Sequence, residues 1–168
     1  DTRLSRGLGD VYKRQIIQPY PDWHPKLLMA YLTRNTQLAL KSFDYDIHKS
    51  AWADIARSAN EHNDPGHFTT FIGYEFTTST DIEGGNLHRN VIFNSSEASI
   101  RPWTRIDSTN PEDLWTWQDR LRDKGVDTIA MPHNSNGSNG QMFEMETFKG
   151  NAISKEYADK RMRNEPIV

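Results

Sequence analysis

Apolar residues recur with helical spacing from Ser50 to Asn63, where Trp52, Ile55, Ala56 and Ala59 fall at i, i+3, i+4 and i+7 and Ser50 is placed to cap the first turn. Asn63-Asp64-Pro65-Gly66 then ends the helix by turn chemistry. The run Phe68 to Phe76 (FTTFIGYEF) is nearly continuous in aromatic and β-branched residues, which predicts a strand buried on both faces. Asn90-Val91-Ile92-Phe93 reads as a second, shorter strand. Asn110 caps a helix that has Pro111 at its first position and Glu112 and Asp113 in its first turn. Leu114, Trp117 and Leu121 form its buried stripe and Gly125 stops it. Val126 to Met131 follows as a strand, and Ser154 caps a last helix through about Met162. Helix and strand therefore alternate as in βα units around a largely parallel sheet, an α/β pattern. At 168 residues the chain is long enough for one domain, although an enzyme barrel usually needs about 200 to 250.

Charge and composition narrow the chemistry. Lys and Arg number 20 against 23 Asp and Glu, a net charge of -3, and no basic block follows a phosphate backbone, so nucleic acid is not an expected partner. The absence of cysteine removes disulfides, thiolate metal sites and a cysteine nucleophile, leaving His and carboxylate as metal ligands. No apolar stretch approaches the roughly 20 residues of a membrane span.

The first fifteen residues, DTRLSRGLGDVYKRQ, have no sustained apolar period. The string RGLGDVYKRQ resembles translated sequencing-adapter read-through at the ends of metagenomic reading frames. We therefore expect residues 1–15 to be foreign and residues 16–168 to be the central fragment of one domain, cut again at Asn164-Glu165-Pro166-Ile167-Val168, where an apolar strand begins.

Glu75 lies near the carboxyl end of the FTTFIGYEF strand, where a buried carboxylate needs a cation or hydrogen bonds to offset several kcal/mol of desolvation. His133 follows the strand VDTIAM and opens the loop Pro132 to Gly137, on the strand-end side where parallel α/β proteins build active sites. His88 follows a turn rich in Gly84, Gly85 and Asn86. Taken singly, each has a plainer reading: an ion pair for the glutamate, a solvated or hydrogen-bonded ring for each histidine. Together they supply the imidazole nitrogen and carboxylate oxygen that borderline divalent metals take in a cysteine-free site. Arg89 is a candidate to hold an anionic oxygen, and Asn134 and Asn136 to orient a substrate. Surface charge and loop hydrogen bonding are the alternatives for these three. His62 and His67 read as surface residues, and Trp103, Trp115 and Trp117 as core packing rather than a sugar platform.

FTTFIGYEFT, NLHRNVIF, PEDLWTW, the IAMPHNSN stretch and EYADKRMRNEPIV, in that order, closely resemble the bacterial domain-of-unknown-function 3604 family, from about Trp52 to Val168. From Ile16 to about Lys49 the resemblance is thin. That family looks like a branch of the polymerase-and-histidinol-phosphatase superfamily, whose resemblance implies part of a distorted (β/α)7 TIM-like barrel holding two or three divalent ions. Glu75 in GYEFT matches the superfamily's metal-bridging glutamate, and His88 in NLHRN and His133 in MPHNSN match two of its histidines. Its upstream His-x-His and Thr-Asp-His motifs have no counterpart, and Asp46-Ile47-His48 is not a substitute. The resemblance implies a metal-dependent hydrolase, chiefly a phosphoesterase on a small-molecule substrate, with zinc, manganese or iron as the ion and an exported location. An amidohydrolase-like enzyme acting on another ester or amide, and a catalytically inactive glycan-binding barrel, are the two other expectations. The chain alone is expected to be inactive.

Overall fold

A computed structural model describes residues 44–78, 84–96 and 100–167. The foreign-looking residues 1–15, the thinly patterned residues 16–43 and Val168 lie outside them. The chain divides into two units, residues 1–55 and 56–168. Helix α1 (Tyr45–His62) carries the boundary and starts earlier than Ser50. Its cap is Asp44, whose carboxylate accepts from the N–H groups of Asp46 at 2.9 Å and Ile47 at 3.0 Å, so Ser50 is an interior helical residue. Trp52 and Ala56 are buried, as their spacing predicts.

Three strands follow in the second unit: β1 (Ile72–Phe76), β2 (Arg89–Asn94) and β3 (Asp127–Pro132). They form a sheet in the order β1-β2-β3, with β2 antiparallel to both neighbours. The expected parallel pairing is thus not what these strands adopt. β1 is also shorter than its apolar run: Phe68 forms only an isolated bridge with Asp64, and Phe68 and Phe71 are exposed. Side chains alternate across a pleated sheet, and the register places Ile72, Tyr74, Phe76, Arg89, Val91, Phe93, Thr128 and Ala130 on one face. This is the core face, on which Ile72, Phe76, Val91, Phe93 and Ala130 are buried. The other face carries Gly73, Glu75, Asn90, Ile92, Ile129 and Met131, all half-buried or exposed, so β1 is not buried on both sides.

The core face is covered by α2 (Pro111–Arg122), which packs on β3, and by α3 (Lys155–Asn164), which packs on α2 and β3. Asn110 caps α2 through the Glu112 N–H at 2.9 Å, and Ser154 caps α3 through the Tyr157 N–H at 3.2 Å, both as expected. Gly125, at φ 83°, takes the left-handed turn after α2, and the Val126 N–H closes back onto the Leu121 carbonyl at 3.0 Å. The buried stripe of α2 is Leu114, Trp115, Gln118 and Leu121. Trp115 therefore takes the place expected for Trp117, which sits on the flank with its ring edge-to-face against Phe93 at 6.0 Å. The described residues form a mixed α/β structure of three α-helices and a three-stranded antiparallel sheet.

Candidate metal centre

Because β2 runs against both neighbours, the carboxyl ends of β1 and β3 and the amino end of β2 meet at one rim of the sheet. Glu75 is the penultimate residue of β1, His88 immediately precedes β2, and His133 immediately follows β3. Both ladders continue past the regular strands: the Leu87 N–H donates to the Thr78 carbonyl at 3.0 Å and the His133 N–H to the His88 carbonyl at 3.2 Å. Strand alternation then puts Glu75, His88 and His133 on the same face, the one opposite the core.

The side chains converge there. His88 Nδ1 lies 2.9 Å and His133 Nε2 3.8 Å from the same Glu75 oxygen, Oε1. The two imidazoles meet edge-on with centroids 5.8 Å apart, and one ligand atom from each of the three residues lies within 4.8 Å of the others. Thr77, two residues after Glu75 and on the same side of the extended chain, donates its hydroxyl to Oε1 at 3.0 Å and so turns that oxygen toward the histidines. The side chains of His88 and His133 are 19% and 26% exposed and that of Glu75 42%, so the cluster is open on one side to solvent and closed on the other by the sheet. His133 Nε2 is itself buried and has no hydrogen-bond partner. An imidazole nitrogen left unsatisfied beside a carboxylate oxygen is costly in a protein of ordinary satisfaction, and a cation between them would satisfy both. The two nitrogens, 2.9 and 3.8 Å from one carboxylate oxygen, each stand at a separation from it that donors on bonds of about 2 Å to zinc or a similar ion adopt. The residues present fit such an ion.

The loops that carry the two histidines are joined. The Asn86 N–H donates to the Gly137 carbonyl at 3.0 Å and the Gly85 N–H to Gln141 Oε1 at 2.9 Å. A β-carbon at Gly85 would lie 1.7 Å from the Ser138 carbonyl oxygen, so only glycine permits this approach. In the second loop Asn134 and Asn139 take left-handed backbone at φ 57° and 54°, a conformation asparagine tolerates. The side chains of Asn134 and Asn136 are exposed and make no hydrogen bond among the described residues.

Arg89 is not brought to the triad. One residue past His88, it alternates to the core face, where it is 2% exposed. Its Nε donates to Glu165 Oε1 at 2.7 Å, and its Nη1 donates to the Leu87 carbonyl. Glu165 Oε1 also accepts from Trp115 Nε1 at 2.8 Å, and Arg161 Nε lies 3.3 Å from Oε2. The arginine expected to hold an anionic oxygen is thus held in a buried ion pair that locks the end of α3 to the start of β2. Trp115 belongs to this core, while Trp103 and Trp117 line an open groove with Arg101 and Lys124. His62 and His67 are exposed, as expected.

Sequence patterns alone single out none of Thr77, Gly85 and Gln141 as site residues. Thr77 is findable by alternation once Glu75 is suspected and Gly85 lies in a visible turn, whereas the contact of Gln141 across 56 positions leaves no local signal. A family described as "Protein of unknown function (DUF3604)" matches residues 14–168, and the chain belongs to it. The match runs through residues 16–49, where the motif resemblance is thin, and through all three triad positions. Neither the curated proteins nor the solved structures yield a match.

Proposed function

We propose that the triad is the divalent-metal site of a hydrolase, and that the bond cleaved is a phosphoester. The observation that carries this reading is the buried, unpartnered Nε2 of His133 facing, at 3.8 Å, a carboxylate oxygen that His88 also faces. Glu75, His88 and His133 would hold the ion. An ion so held supplies a water acidified toward neutrality and a positive charge for the developing oxyanion. Glu75 Oε1, fixed by Thr77, serves as the anionic donor, and its partly exposed carboxylate leaves a side from which substrate enters. His88 and His133 would each present a ring nitrogen to the ion, His88 through Nδ1 and His133 through Nε2. The sheet keeps bulk water from the side away from solvent.

In this reading the sheet is part of a distorted (β/α)7 barrel of the polymerase-and-histidinol-phosphatase type. Support comes from the matching of GYEFT, NLHRN and MPHNSN to that superfamily's ligand motifs, while the antiparallel β2 departs from the parallel strands of such a barrel. The test is to titrate the chain with zinc and manganese by calorimetry, and to assay p-nitrophenyl phosphate and p-nitrophenyl acetate with the longest available protein of the family that contains it. Metal uptake abolished by Glu75→Gln, with metal-dependent turnover of the phosphate ester only, is expected. No uptake overturns the metal reading; turnover of the acetate alone overturns the phosphoester reading and keeps the metal.

A further inference from the structure

We propose that Gln141 is a positioning residue for the triad, the latch of a clasp that holds the two histidine-bearing loops at a fixed separation before any ion arrives; this rests on the metal reading above. His88 and His133 come from different loops, and each follows or precedes a strand by only one residue, so strand pairing joins the two to each other through one bond, His133 N–H to His88 C=O at 3.2 Å. A rim residue with one such bond frays readily. The structure supplies three further ties just beyond it. They are the Asn86 N–H to the Gly137 carbonyl at 3.0 Å, the Gly85 N–H to Gln141 Oε1 at 2.9 Å, and the seating of Gly85 against the Ser138 carbonyl.

Of these, only the tie through Gln141 is made by a side chain, so it is the one a substitution can remove without altering the backbone. Gln141 lies eight positions after His133 and outside the triad, and its side-chain oxygen accepts from the Gly85 N–H of the other loop. The bond it makes to the Gly85 N–H runs between the two loops rather than within either one. Its effect is to draw residues 84–88 onto residues 135–141, which sets the edge-on, 5.8 Å arrangement of the imidazoles. Pre-set donors lose less freedom on binding an ion than donors that must be gathered.

The experiment titrates the 168-residue chain with Co²⁺, following its visible absorption and competition with a chelating dye, for the wild type and for Gln141→Glu, Gln141→Met and Gln141→Ala. Melting temperatures are taken without metal. Gln141→Glu keeps an oxygen acceptor and should bind within about threefold of wild type. Gln141→Met and Gln141→Ala should bind about 10- to 100-fold more weakly, the scale of lost support around metal ligands, with an altered cobalt spectrum and a metal-free melting temperature within a few degrees of wild type. Wild-type affinity and spectrum in both apolar variants would overturn the proposal. Collapse of the metal-free melting transition in both would make Gln141 a folding residue and overturn it too. A wild-type chain that takes up no cobalt overturns the metal reading itself, and the latch with it.

Discussion

Replacing His133 by alanine separates ligation from folding. The residue is partly exposed, its ring makes no hydrogen bond through Nε2, and its backbone bond to His88 survives the change. His133→Ala should lower bound metal severely while shifting unfolding free energy by less than about 1 kcal/mol, measured by metal analysis beside urea titration. Arg89 behaves in the opposite way. Arg89→Met leaves Glu165 buried with its chief charge partner gone, and removal of one partner of a buried pair costs about 3 to 5 kcal/mol; metal content per folded molecule should change little. Tyr74 gives a pH test. Burial pushes its phenol above the ordinary tyrosine range, and the hydroxyl donates to the Trp103 carbonyl at 2.8 Å. With the folded value raised, the contribution is whole below the unfolded value of about 10 and is lost as pH rises beyond it. Wild-type stability should fall between pH 9 and 11 more steeply than that of Tyr74→Phe, read by urea titration at each pH. At this scale the three converging residues were legible through their shared strand-end placement and the motifs GYEFT, NLHRN and MPHNSN, although each taken singly had a plainer reading. The sequence offered Arg89 as an anion holder or a surface charge and left its buried pairing unseen, because the partner, Glu165, is 76 positions away and only strand parity separates a rim residue from a core one.

Helices α2 and α3 were legible through their caps, and removing a cap gives the matching prediction. Asn110→Ala should destabilise the protein by about 1 kcal/mol, within the 0.5 to 2 typical of such caps, in a chemical denaturation experiment. α1 was misplaced at its start because Asp44 and Ser50 are both competent capping residues and the apolar period is visible only from Trp52 onward. The stripe of α2 was displaced by one residue because two tryptophans straddle it, and Gln118, a polar residue that bonds Thr128 at 3.1 Å, occupies a buried position no hydrophobic pattern marks. Strand direction was misread for a clearer reason. A helix between two strands implies parallel pairing only if the chain crosses the sheet once on the way. Here the segment before α2 runs back toward the rim, with the Trp103 carbonyl at Tyr74 and the Thr109 carbonyl at Thr78. The helix then returns the chain to the far end, so β3 opposes β2.

Across the whole molecule, the count of donors limits the count of ions. The described residues bring three ligand-capable side chains to one point, and an ion commonly takes four or more donors, with water completing the set. Equilibrium dialysis of the chain should therefore find one ion bound, not the two or three expected from the sequence motifs; two bound ions, both lost with Glu75→Gln, would show that donors beyond these three take part. The central position of β2 has a further consequence, for amide exchange. Every donor reaches the site along a ladder that β2 shares, so an ion held by Glu75, His88 and His133 would tie β1 to β3 across a strand both already pair with. Metal loading should slow deuterium uptake at the His133, Leu87 and Asn86 amides together, since their acceptors, the carbonyls of His88, Thr78 and Gly137, all lie around one opening. The amides at the far end, toward Asn94 and Asp127, belong to the same sheet but should keep their exchange rates, making the label a map of where the sheet opens first.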